Sequence, residues 1–121
     1  VYDGLALMSI MDITLAHINT IAVGSVMSMG LPIYLMGDTR YTTKYSTFMW
    51  HEISSSGLGG KLSSINDMSC EMDRLESICR KLILDKTDIT EEYLDEIKNS
   101  RYDCYIDSNK AMELGIAEEL L

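Results

Sequence analysis

Thr20-Ile21-Ala22-Val23-Gly24-Ser25-Val26-Met27-Ser28-Met29-Gly30-Leu31-Pro32-Ile33-Tyr34-Leu35-Met36 is the stretch on which the fold turns. Thr20 to Val23 is an apolar, β-branched run that reads as a short buried strand. Gly24 to Met27 reads as a turn, and Ser28 onward as a helix running to about Met36. A serine at a strand-to-helix turn stands exposed at a sheet edge, beside free backbone N–H groups and the positive end of a helix dipole. Both favour negative charge. Hydrolysing an amide at neutral pH requires an activated nucleophile, a base to take its proton and donors for the developing oxyanion. Ser28 is placed for the first task, although local pattern alone favours the simpler reading that it is the helix N-cap.

Upstream, Leu5, Met8, Met11 and Leu15 recur at helical spacing and predict an amphipathic helix over roughly residues 3 to 16. Downstream, Arg40 to Trp50 is rich in Tyr, Thr, Phe and Trp, which suit a pleated surface, and predicts two short strands separated near Tyr45. Ser54 to Gly60 is almost entirely Ser and Gly, the composition of a flexible loop or extended ribbon. Leu62, Ile65, Met68, Met72, Leu75, Ile78 and Leu82 then mark one long helix with a continuous apolar stripe. Asp88 with Glu91 has the form of a capping box opening a short acidic helix to about Lys98, and Tyr102 to Ile106 reads as a strand. Asp107 is placed to cap a last short helix, with Gly115 as its left-handed close. Helices alternating with strands predict an α/β domain with crossover connections, and no linker divides residues 1–121.

Composition narrows the function. A formal net charge of -9 gives a surface that repels phosphate backbones and anionic membranes, so neither nucleic acid nor membrane is an expected partner. The uncharged run from Ile18 to Gly37 has the length of a bilayer span, but Gly24, Gly30, Pro32, Asn19, Thr20, Ser25 and Ser28 dilute its apolarity. Three cysteines, Cys70, Cys79 and Cys104, form no C-x-x-C pair and fit neither a disulfide framework nor a zinc site, so no metal and no cofactor is expected. A reducing, cytoplasmic compartment follows, and Cys104 reads as ordinary packing. The start at Val1 rather than Met suggests a fragment or processed product.

Two further residue types bear on hydrolysis. His51, at the end of the second predicted strand, is a candidate base or simply a surface or hydrogen-bonded histidine, while the other histidine, His17, reads as a solvent-facing or C-terminal helix residue at the foot of the first helix, favoured there by the dipole. Asp103 stands inside an otherwise apolar strand, where burial would cost several kcal/mol unless the carboxylate were paired. A structural ion pair and the orienting of a histidine are the two uses for such a charge. Glu52 reads as an exposed neighbour of His51.

In order and spacing, these residues resemble the ClpP family of serine peptidases over nearly the whole chain. Gly24, Ser28, Met29 and Gly30 match its Gly-x-x-x-Ser-Met-Gly nucleophile turn, and Met49, Trp50 and His51 its Met-x-His element. Asp103-Cys104-Tyr105-Ile106-Asp107, with Ala111, Glu113, Leu114 and Gly115, matches its aspartate, capped helix and Leu-Gly close. The resemblance implies a ClpP/crotonase-like domain with repeated β-β-α units. It implies a triad of Ser28 as nucleophile, His51 as proton shuttle and Asp103 as the group orienting His51, with the Met29 N–H as one oxyanion donor. It also implies that the second donor, the N-terminal strands and the axial loop lie upstream of Val1, and that the helix from about Lys61 to Leu84 is the handle through which two heptameric rings stack. Departures are Glu52-Ile53 where the family has Gln-Pro, Pro32 early in the nucleophile helix, and a slightly shorter serine-to-histidine interval. They suggest a divergent, phage-like member.

The activity so implied is that of a serine endopeptidase cutting unfolded polypeptides inside a ring-shaped chamber fed by a Clp-type AAA+ ATPase. Two alternatives stand beside it: a phage head-maturation protease of the same fold, and a catalytically silent ring subunit.

Overall fold

The structure is a computed structural model that describes residues 1–53 and 61–121; the Ser/Gly ribbon expected at 54–60 lies outside the described residues. The elements in chain order are α1 (Tyr2–Ile13), β1 (Asn19–Ala22), β2 (Ser25–Met27), α2 (Gly30–Leu35), β3 (Thr39–Thr42), β4 (Thr47–Trp50), α3 (Leu62–Lys86), α4 (Glu91–Ser100), β5 (Cys104–Asp107), α5 (Ser108–Glu113) and β6 (Glu119–Leu120). A β-β-α pattern therefore occurs twice, as β1-β2-α2 and β3-β4-α3. Each copy gives its first strand to one three-stranded sheet, β1-β3-β6, and its second to the other, β2-β4-β5. β1 runs parallel to β3, β2 parallel to β4, and β6 parallel to β3, whereas β5 is antiparallel to β4. The α/β class agrees with the sequence pattern, and the repeated unit with the ClpP resemblance.

The core lies between the sheets and the helices. Phe48, Leu31, Leu35, Ile83, Leu94 and Ile116 are fully buried, and burying such a side chain contributes about 1.5–3 kcal/mol. Phe48 meets the ring of Tyr34 edge-on at a centroid distance of 5.3 Å, which joins β4 to α2. Of the stripe expected along the long helix, Leu75 is buried but Leu62 and Met68 are exposed, and the buried spacing is Leu75, Cys79, Ile83. The buried part of the stripe thus lies in the C-terminal half of α3.

Several local expectations are corrected. Residues 25–27, read as turn, form β2, because three residues suffice when β4 supplies the hydrogen-bonding partner. Thr90, not Asp88, caps α4, its side-chain oxygen accepting from the Tyr93 N–H at 3.2 Å. Asp88 instead donates its own N–H to the Leu114 carbonyl. In α1 only Met8 is buried, and Leu15 stands beyond the helix end, fully exposed. His17 also lies beyond α1 and so is no helix residue, but it is solvent-facing as expected, with its Nε2 3.1 Å from Thr39 Oγ1. By contrast Asp107 caps α5 by accepting from the Lys110 N–H at 2.8 Å, and Gly115 follows with φ 67°. Among the described residues no helix is long and apolar enough to cross a membrane.

Candidate active site

The parallel ladder of β2 with β4 pairs Ser25 with Thr47, Val26 with Phe48 and Met27 with Met49. Because the strands run the same way, both chains leave the sheet at one edge, the position where open α/β sheets bind their ligands. Ser28 follows β2 there, and its N–H donates to the Met49 carbonyl at 3.0 Å, adding one bond beyond the ladder. The Leu31 N–H then donates back to the Ser28 carbonyl at 3.1 Å, closing a tight turn into α2.

This turn holds Ser28 at φ 52°, a left-handed conformation unusual for a side-chain-bearing residue. Left-handed backbone costs an L-residue roughly 1–2 kcal/mol, and such strain clusters where structure over-determines a functional group. Ser28 is not the N-cap of α2, as local pattern had suggested. Met29 is, with no side-chain cap bond, and the Ser28 hydroxyl is turned elsewhere. Met29 is itself seated by α1: a Cβ at Gly4 would collide with the Met29 side chain.

The hydroxyl is turned to His51. His51 follows β4 directly, half-buried, and its Nε2 lies 2.9 Å from Ser28 Oγ. That is hydrogen-bonding distance for a serine and the base that would take its proton. The strand that carries it is set in the core, with Phe48, Met49 and Trp50 of β4 all buried.

Asp103 is placed differently from expectation. The strand begins at Cys104, so Asp103 precedes it and is exposed; its charge is solvated and carries no burial cost to be offset. The antiparallel register nonetheless pairs Trp50 with Cys104, and one further step sets His51 opposite Asp103. Both residues line one cavity of about 570 Å³, together with Glu52, Lys98, Arg101 and Tyr102. No hydrogen bond joins His51 to Asp103 among the described residues.

Cys104 behaves as packing against the core, with its Sγ 3.7 Å from the Tyr93 hydroxyl. Burial pushes the Tyr93 phenol up to about 12, and the bond to Cys104 adds to it. No cluster of His, Cys, Asp and Glu that could hold a metal ion occurs among the described residues.

One group near His51 was not singled out from the sequence. Lys98 of α4 donates to Glu76 Oε1 of α3 at 3.1 Å and stands 3.7 Å from Glu52 Oε1. Its partners are distant in sequence, and a lysine near the end of an acidic helix carries no local signal.

The Clp protease family model matches residues 1–121. Among curated proteins the chain is 28% identical over 120 residues to the ATP-dependent Clp protease proteolytic subunit of Dehalococcoides mccartyi strain CBDB1, a match covering 98% of this chain and 58% of that protein. It is 27% identical over 123 residues to the subunit of the same description from Deinococcus radiodurans, covering 100% of this chain and 59% of that protein. The chain therefore spans less than two thirds of the length of the curated relatives it matches.

Proposed function

The chain belongs to the Clp protease family, and on that premise we propose that residues 1–121 form one peptidase domain acting as a serine endopeptidase, with Ser28 as nucleophile, His51 as general base and Asp103 as the group that orients His51. The observation that supports this reading is the 2.9 Å contact between His51 Nε2 and Ser28 Oγ, made by a serine held in left-handed backbone. In the reaction, Ser28 Oγ attacks the peptide carbonyl as His51 Nε2 takes its proton. The Met29 N–H at the start of α2 donates to the oxyanion. His51 then returns the proton to the leaving amine, freeing it, and water activated by the same imidazole hydrolyses the acyl-enzyme.

The substrates on this reading are unfolded polypeptides, admitted to a chamber of stacked heptameric rings by a Clp-type AAA+ ATPase, in the cytoplasm. Relatives named as proteolytic subunits of an ATP-dependent protease support it. A second reading, a silent ring subunit, is favoured by the missing bond between His51 and Asp103.

Fluorophosphonate labelling of the full-length protein, with mass spectrometry of the modified peptide, separates the two. Label on Ser28 that vanishes in Ser28→Ala and falls in His51→Ala is the expected result. A folded, assembled protein that takes no label would leave the silent subunit as the better account.

A further inference from the structure

Glu52 follows His51 with no strand pairing of its own, so the backbone beside the imidazole needs another anchor. Lys98 stands at that point. Its ammonium is shared between Glu52, 3.7 Å away, and Glu76, to which it donates at 3.1 Å. Solvent-exposed ion pairs contribute little, about 0–1 kcal/mol. Here, however, the Glu76 side chain is only 9% exposed, so one end of the bridge is set in the body of the fold. A buried carboxylate keeps its cation close, because an unpaired one is costly. The Glu76 hydrogen bond accordingly holds the Lys98 ammonium above its ordinary range.

Lys98 also stands near the other arm of the site. α4 ends at Ser100, Arg101 reverses the chain in left-handed backbone at φ 57°, and Asp103 follows within the same cavity wall as Lys98, Glu52 and His51. The charged groups around this cavity are Glu52 from the His51 segment, Lys98 and Arg101 from the end of α4, Asp103 before β5, and Glu76 behind Lys98 on α3.

We propose that Lys98 is a positioning residue, which acts through Glu52 to hold His51 against Ser28 and, through Glu76, fastens that segment to α3. This rests on the reading of Ser28 and His51 as nucleophile and base. A displacement of about 1 Å in a catalytic group can cost on the order of a hundredfold in rate, so losing the anchor is felt in chemistry more than in substrate binding.

The test uses the full-length protein and two readouts, the rate of fluorophosphonate labelling at Ser28 and the turnover of a fluorogenic peptide. Lys98→Met combined with Glu76→Gln removes the cation without leaving a buried charge. It is expected to slow labelling and kcat by about tenfold to a hundredfold, with KM little changed and an unaltered thermal midpoint. Lys98→Arg should restore most of the rate. Glu52→Ala, an exposed position that leaves the Lys98–Glu76 bond intact, should give a similar loss and add little to the double variant. Wild-type labelling and kcat in Glu52→Ala and in the double variant would overturn the proposal. A loss that tracks a lowered thermal midpoint would overturn it too, by reducing Lys98 to a structural part. Failure of the wild type to label at Ser28 would remove the catalytic reading beneath it.

Discussion

β4 is flanked by two ladders that end differently at the same edge. On one side it runs parallel to β2, and the chain beyond that ladder is drawn in by a further bond from the Ser28 N–H to the Met49 carbonyl, which brings the Ser28 hydroxyl to 2.9 Å from His51. On the other side it runs antiparallel to β5, whose register sets Asp103 opposite His51 with no bond between them. The first ladder is followed at once by a helix that fixes the turn. The second is entered from α4 through Arg101 and Tyr102, both exposed, so nothing in the pairing forces the Asp103 side chain inward. Strand register can bring two residues opposite one another, but closing a side-chain contact requires the connecting chain to be held as well.

The largest effect on this comparison comes from Asp103→Asn. If the gap closes when substrate is bound, kcat should fall by about 10³-fold to 10⁴-fold, the scale of losing the orienting carboxylate in a Ser-His-Asp triad. A loss below about tenfold in steady-state peptide turnover would show that the second ladder stays open during the reaction.

Phe48→Ala loosens both ladders at once, because Phe48 pairs with Val26 on one side and Ile106 on the other and is fully buried. Denaturant unfolding should record a loss of about 3–5 kcal/mol.

Ser28→Gly compared with Ser28→Ala isolates the strained turn of the first ladder. Both lack the hydroxyl, yet the glycine variant should be the more stable by about 1 kcal/mol, since only alanine keeps the left-handed penalty. Equal stabilities would mean that the turn relaxes once the hydroxyl is gone.

The smallest effect lies away from both ladders. Bonds from Arg74, and then from the Tyr2 hydroxyl, lower the Glu71 carboxyl from 4.5 to about 2. A carboxyl depressed by folding stabilises the native state above its unfolded value, and that contribution is lost as pH falls from 4.5 towards about 2. Glu71→Gln should therefore flatten the acid limb of the stability profile in that window while leaving peptide turnover unchanged.

How much was legible beforehand follows from the range of the interactions. The Asp107 cap and the Gly115 close are settled within a few residues, so pattern alone finds them. The same is true of the two strands on either side of Tyr45, β3 and β4, whose Tyr, Thr, Phe and Trp residues suit a pleated surface. Ser28 as an N-cap, Asp88 as a cap and Asp103 as a buried strand residue were misread because each depends on a distant partner: Met49 across the ladder, Leu114 at the end of α5, and the point where pairing with β4 stops. β2 and β6 are too short to announce themselves and exist only because β4 and β3 offer them hydrogen bonds.

By itself the sequence determined the α/β class and the long helix, which rest on residue type and short-range periodicity, and through its family resemblance it proposed Ser28, His51 and Asp103. Tertiary structure alone decided which of them meet. The distance between Ser28 and His51, the open side of Asp103 and the bridge from Glu52 through Lys98 to Glu76 arise from strand register and helix packing, which join residues far apart in the chain and leave no local trace in it.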